Sequence, residues 1–185
     1  MPPPTAVAAF IIEPISINLG VLIPDHDVIR RVRDLCRRYG TLFIADEVAS
    51  GFGRTGRLFA FEHFDLDPDM ICVAKAMSGG LAPIGAVIAT APIAQSMEEN
   101  DGTFYSTCGW HPRSVAAAIA TLRGLKAGRA RLLAGVAEMS EYFRVRLLQL
   151  EFDRPAAVAS RAWRFGIDAA DEEYADATRA LRAVS

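Results

Sequence analysis

No apolar run in this chain is long enough to cross a bilayer. The longest, Ala6 to Ile12, falls far short of the ~18 residues a spanning helix needs. The opening Met-Pro-Pro-Pro-Thr has no positive charge leading into an apolar stretch, so no signal peptide is expected. Cysteine is scarce: Cys36, Cys72 and Cys108 are odd in number and widely spaced. They read as reduced thiols of a cytoplasmic protein, not as a disulfide framework. The three histidines, His26, His63 and His111, are equally scattered, and no metal-ligand spacing appears. An excess of one charge sign is missing too. The net charge of −2 gives no field for nucleic acid or an anionic membrane. The basic run Arg30, Arg31, Arg33, Arg37 and Arg38 reads first as a solvated helix face. No internal repeat and no low-complexity tract is present, and no Gly-x-Gly-x-x-Gly opens a helix after the first strand, which discounts a dinucleotide fold.

What is there is an ordinary globular composition, 51% hydrophobic over 185 residues, enough for one domain with a core. Ala6 to Ile12 predicts a buried strand stopped by Glu13-Pro14. From Asp25 to Arg38, residues Val28, Ile29, Val32, Leu35 and Cys36 fall at helical spacing, with Asp25 or Asp27 as N-cap and Gly40 as stop. Thr41 to Ala45 predicts a second strand, ending at Asp46. Strand, helix and strand in that order predict a right-handed crossover and a parallel pair. A glycine-rich irregular stretch, 50–57, follows, then a short turn at 59–64. Met70 to Ala74 predicts a third strand ending at Lys75, and Ile84 to Thr90 a fourth. Helices are expected over Pro112 to Leu125 and Leu132 to Leu150, with a break near Gly128. Beyond residue 151 the pattern weakens, though Glu172 to Val184 has amphipathic spacing.

Glu13, Asp46 and Lys75 thus stand at the carboxyl ends of three predicted strands, the edge of an open α/β sheet where ligands bind. A lysine there is costly unless its charge is solvated, paired or chemically removed. A Schiff base with an aldehyde removes it, and an aspartate nearby suits a protonated pyridine nitrogen. Taken singly, Lys75 reads first as a surface loop lysine and Asp46 first as a cap or ion-pair residue.

The lettering narrows this. Leu42-Phe43-Ile44-Ala45-Asp46-Glu47-Val48 is followed by Gly51-Phe52-Gly53-Arg54-Thr55-Gly56, Pro68-Asp69, Ala74-Lys75, Gly79-Gly80 and Pro83-Ile84-Gly85-Ala86. That order resembles the class III (omega-type) pyridoxal-phosphate aminotransferases, as do Ile12-Glu13-Pro14 upstream and Ser106-Thr107 through Pro112 downstream. The likeness covers about residues 8–125. It implies a partial fold-type I large domain: a mostly parallel α/β sheet of four strands with flanking helices. Residues 1–125 would form the cofactor-binding portion, 126–151 a helical continuation, and 152–185 a divergent tail, either truncated or unrelated.

The resemblance also implies roles. Lys75 would carry pyridoxal 5'-phosphate as a Schiff base and then act as the proton-moving base. Asp46 would bond the ring nitrogen, and Val48 would pack against a ring face or simply fill the core. Thr107 would bind the phosphate held by the neighbouring subunit of a homodimer, unless its hydroxyl caps the helix at Pro112. Glu13 would support the site from behind or form an ion pair. Arg54 would order its loop or reach the partner. The substrates would be a small amine or amino acid and a keto acid. Two departures stand out: Ala49 replaces a glutamine common after Asp-Glu-Val, and Cys108-Gly109-Trp110 is bulkier than usual. The family's N-terminal phosphate-cupping loop has no counterpart here. Two other readings remain: an aminomutase of the same superfamily, which needs no keto-acid acceptor, and a catalytically inert fragment or interaction module.

Overall fold

A computed structural model of the chain describes residues 7–107 and 109–149. The tail 152–185 and the expected Glu172 to Val184 helix lie outside these. Four strands form one sheet in the order β1-β2-β3-β4. β1 is Ala9–Ile12, β2 Leu42–Asp46, β3 Met70–Val73 and β4 Ala86–Ala89. β1, β2 and β3 run parallel, with Ile12 opposite Ala45 and Asp46 opposite Cys72. β4 turns back antiparallel to β3, pairing Val73 with Ala86.

The crossover from β1 to β2 is helix α1, His26–Tyr39. Asp25 caps it as expected, its Oδ1 accepting the N–H groups of Asp27 (2.8 Å) and Val28 (3.4 Å). Gly40 ends it in the left-handed conformation. Ile29 and Cys36, one helical face of α1, pack with Phe43, Phe64 and Leu66 into the core, joined by Phe10, Ile12 and Val32. Register places Phe10 with Phe43 and Ile12 with Ala45, so this is the sheet face that α1 covers. The opposite face carries Ile11, Ile44, Met70, Cys72 and Val87, of which Ile11 is 56% and Val87 57% exposed. The outer side of α1 is tied down by Arg30 on the Phe64 carbonyl (2.9 Å) and by Arg33 on Asp67 (2.8 Å), with Arg37 also on Asp67. The expected solvated basic face is thus partly an ion-paired one.

Two elements differ from expectation. Helix α2, Ala91–Glu99, was not foreseen; it buries no side chain, so it leaves no amphipathic signature. The two expected C-terminal helices run together as α3, Pro112–Leu148. Gly128 takes non-helical angles within it (φ −119°, ψ 16°), so the break is a kink and not a stop.

Candidate active site

The parallel register brings the strand ends together. Glu13 follows Ile12, which pairs Ala45; Asp46 pairs Cys72; and the N–H of Glu47 donates to the Cys72 carbonyl at 2.9 Å. Glu13, Asp46 and Lys75 therefore lie on three adjacent strands at one sheet edge. Their local settings differ. Both oxygens of Glu13 are occupied within its own loop, by Ile17 N–H and by Asn18 Nδ2, each at 3.0 Å. Glu13 orders the turn after β1 and makes no ion pair among the described residues. Asp46 is half-buried. Its Oδ1 accepts the Val48 N–H at 3.0 Å, while Oδ2 has no hydrogen bond among the described residues.

Lys75 is exposed, with a left-handed φ of +42°, an unusual conformation for a residue with a side chain. It opens a 3-10 turn, Lys75–Ser78. Buried Ser78 closes that turn, its Oγ donating to the Ala82 carbonyl at 2.5 Å and lying 3.4 Å from the Lys75 carbonyl. The turn rests on α3, where Ser114 and Ala118 are buried and Thr121 lies against Gly79. These three helix residues share one face at i, i+4 and i+7. The ammonium of Lys75 has no ion pair among the described residues.

Behind Asp46 sits a residue that the sequence did not single out. Glu47 is 0% exposed. Ser50 Oγ donates to its Oε2 at 2.7 Å, and the Phe61 N–H donates to its Oε1 at 2.8 Å. Burial pushes its carboxyl above the ordinary value; the Ser50 and Phe61 hydrogen bonds pull it back, and nearby Glu62 pushes it up again. Gly51 is required beside it, because a Cβ there would stand 2.8 Å from the Glu47 carbonyl. Only the pairing of Glu47 with a serine three residues on hinted at this cluster. Ser78, equally unforeseen, had no signal beyond its place next to the glycine pair.

Thr107 is exposed in the segment between α2 and α3, beside the exposed rings of Phe104, Tyr105 and Trp110. The cap of α3 is His111, with no side-chain hydrogen bond, so Thr107 does not cap that helix. No hydrogen bond joins Thr107 to Asp46 or Lys75 among the described residues. Val48 and Arg54 stay in the glycine-rich turn, half-buried and exposed respectively. No group of three His, Cys, Asp or Glu side chains among the described residues could hold a metal ion. No helix among them is long and apolar enough to cross a membrane.

The sequence model of the class III aminotransferases matches residues 3–183. The chain belongs to the class III aminotransferase family. Its similarity to individual members is substantial. A putrescine aminotransferase of Pectobacterium atrosepticum is 45% identical over 119 residues, 64% of this chain and 25% of that protein. The ornithine aminotransferase of Toxoplasma gondii, a structure described with partial occupancy of PLP at its active site, superposes with a TM-score of 0.70. It is 35% identical, covering 80% of this chain and 34% of that one. A transaminase from the marine bacterium Virgibacillus superposes with a TM-score of 0.69 at 35% identity, over 77% of this chain and 32% of its own. This member of the family therefore has the expected fold, a fold-type I large-domain sheet in part. It spans a quarter to a third of the length of these relatives.

Proposed function

We propose that this chain carries the cofactor lysine and the ring-nitrogen aspartate of a pyridoxal-phosphate transaminase. The reaction would move an amino group between an amine or amino acid and a keto acid. One observation carries this reading: Asp46, with one carboxylate oxygen unbonded among the described residues, and Lys75, whose amine has no ion pair among them, stand at the ends of adjacent parallel strands. That donor set fits pyridoxal 5'-phosphate. The bound cofactor supplies an aldehyde for an amine and a ring that accepts electrons from the substrate carbon. Lys75 is the amine that holds it; once released, the same amine moves the proton at the substrate carbon. Asp46 would pair with the ring nitrogen and hold its proton. Val48 donates its N–H to Asp46, and its side chain would pack on a ring face. Glu13 keeps the neighbouring loop in place. Thr107, whose hydroxyl has no hydrogen bond among the described residues, would bind the phosphate held by the other subunit of a homodimer. The free thiols of Cys36 and Cys72 support a cytoplasmic location.

The test is covalent trapping. The chain is incubated with pyridoxal 5'-phosphate, reduced with borohydride and digested. The label is expected on the Lys75 peptide and absent from a Lys75→Ala variant of the same folded content. A folded protein labelled elsewhere, or not at all, overturns the reading. Dependence of turnover on an added keto acid separates a transaminase from a mutase.

A further inference from the structure

A fully buried acid is a poor choice for merely filling space. An apolar side chain of similar volume would fill the Glu47 site without the cost of desolvating a carboxylate. What Glu47 adds is a set of directional contacts from one residue. Its backbone N–H reaches β3 at the Cys72 carbonyl, and its own carbonyl accepts the Gly51 N–H at 3.0 Å. Its carboxylate holds Ser50 within the same turn and Phe61 in the 3-10 turn Ala60–Phe64. That second turn is held in its own right: Glu62 accepts the Phe59 N–H at 2.8 Å and meets Arg129 of α3 at 3.6 Å. Glu47 is therefore clamped from three directions.

Asp46, one residue earlier, has no such support. Among the described residues its carboxylate makes a single hydrogen bond, to an amide two residues on in the same turn. Where that carboxylate points depends on the backbone of residues 46–48. Successive side chains of an extended segment leave on opposite sides. Glu47 is buried and Asp46 half-exposed, so anchoring the first sets the direction of the second.

We propose that Glu47 is a positioning residue that aims Asp46 at the cofactor ring nitrogen, by clamping the 47–51 turn to the Ala60–Phe64 turn. This rests on the proposed role of Asp46. The experiment uses the full chain with three variants, Glu47→Gln, Glu47→Ala and Ser50→Ala, and two measurements. Amide hydrogen exchange without cofactor reads the clamp; titration with pyridoxal 5'-phosphate reads the site. In Glu47→Ala, exchange at Val48, Gly51 and Phe61 should rise about tenfold, the scale of one lost buried hydrogen bond, while Ile29 and Phe43 stay unchanged. Cofactor affinity should fall about tenfold with it. Ser50→Ala should show a smaller rise at the same amides. Glu47→Gln can accept from Phe61 and donate to Ser50, so it should stay within about twofold of the parent in both measurements. Uniform acceleration that includes Ile29 and Phe43 assigns Glu47 to general stability and overturns the proposal. So does unchanged exchange at Val48. If the parent chain binds no cofactor, the reading of Asp46 fails, and exchange at Val48 still decides whether Glu47 holds that turn.

Discussion

Glu47 is held by two hydrogen bonds and still titrates, and the sign of that titration has a consequence for stability. Burial raises its folded pKa above the ordinary carboxyl value, with Ser50 and Phe61 opposing. A raised acid favours its protonated form in the folded state. Its stabilisation is fully present below the unfolded pKa and is lost as pH rises through the folded one. Glu47→Gln removes the titration while keeping both contacts. The variant should match the parent near pH ~4, where carboxyls are protonated, and become the more stable of the two as pH rises to neutral. Urea denaturation at the two pH values measures this. A stability difference that does not change with pH would show that Glu47 is not buried as described. The same residue explains a gap in what the sequence revealed. A charged letter after an apolar strand reads as the solvent-facing end of it, so Glu47 passed as the neighbour of Asp46. Its partners, Ser50 and Phe61, meet it only after two separate turns have folded together. The left-handed φ of Lys75 was equally hidden, because nothing in Ala74-Lys75-Ala76 demands it.

Among the elements, α1 is the one most fully specified by local rules. Asp25 satisfies two of the N–H groups that the first turn leaves without partners, and an alanine there would satisfy neither. Asp25→Ala should cost about 1 kcal/mol of global stability by urea denaturation. Since α1 covers the core face of the sheet, loss of the cap should reach the whole cooperative unit; no measurable loss would mean that the cap is not formed in solution. Legibility tracked burial at this scale. α1 showed a periodic apolar face and the strands short apolar runs; their spans agreed with the sequence within a residue or two, except that β1 begins at Ala9, three residues later than expected. The 59–64 turn was expected and is present as Ala60–Phe64. α2 buries nothing, so no pattern announced it. In α3 the helices on both sides of Gly128 were expected, but not that they run on as one element through a kink. Leu133 against Gly53 and Arg129 on Glu62 hold the continuation in place, and both are tertiary contacts. The order of Asp46 and Lys75 was readable because consecutive parallel strands place their ends side by side. The role of Thr107 was not testable within a single chain's contacts.

The molecule as a whole is lopsided. α1 covers one face of the sheet, and the other exposes Ile11 and Val87 along with parts of Ile44, Met70 and Cys72. The outer strands β1 and β4 each have one side without a strand partner among the described residues. Open edges and apolar faces of this kind promote association. Ile11→Lys together with Val87→Lys should lower self-association in light scattering or sedimentation. Both side chains are already more than half exposed, so thermal unfolding should remain cooperative. Association that does not change would locate the adhesive surface elsewhere, the exposed rings of Phe104, Tyr105 and Trp110 being the next to vary.

The antiparallel return of β4 bears on how this sheet comes together. Joining β1 to β2 means closing the chain across residues 13–41, whereas joining β3 to β4 closes only residues 74–85. The entropy lost on closing a loop grows with its length by about 0.6 kcal/mol for each doubling, and the first loop is more than twice the second. The lysine turn lies inside the shorter one. The left-handed backbone of Lys75 is thus enclosed by the strand pairing with the least separation along the chain. Local pairings of that kind form fastest. The setting of Lys75 thus belongs to the shortest closure in the sheet, whereas Asp46 reaches its side through the longer connection of residues 47–69.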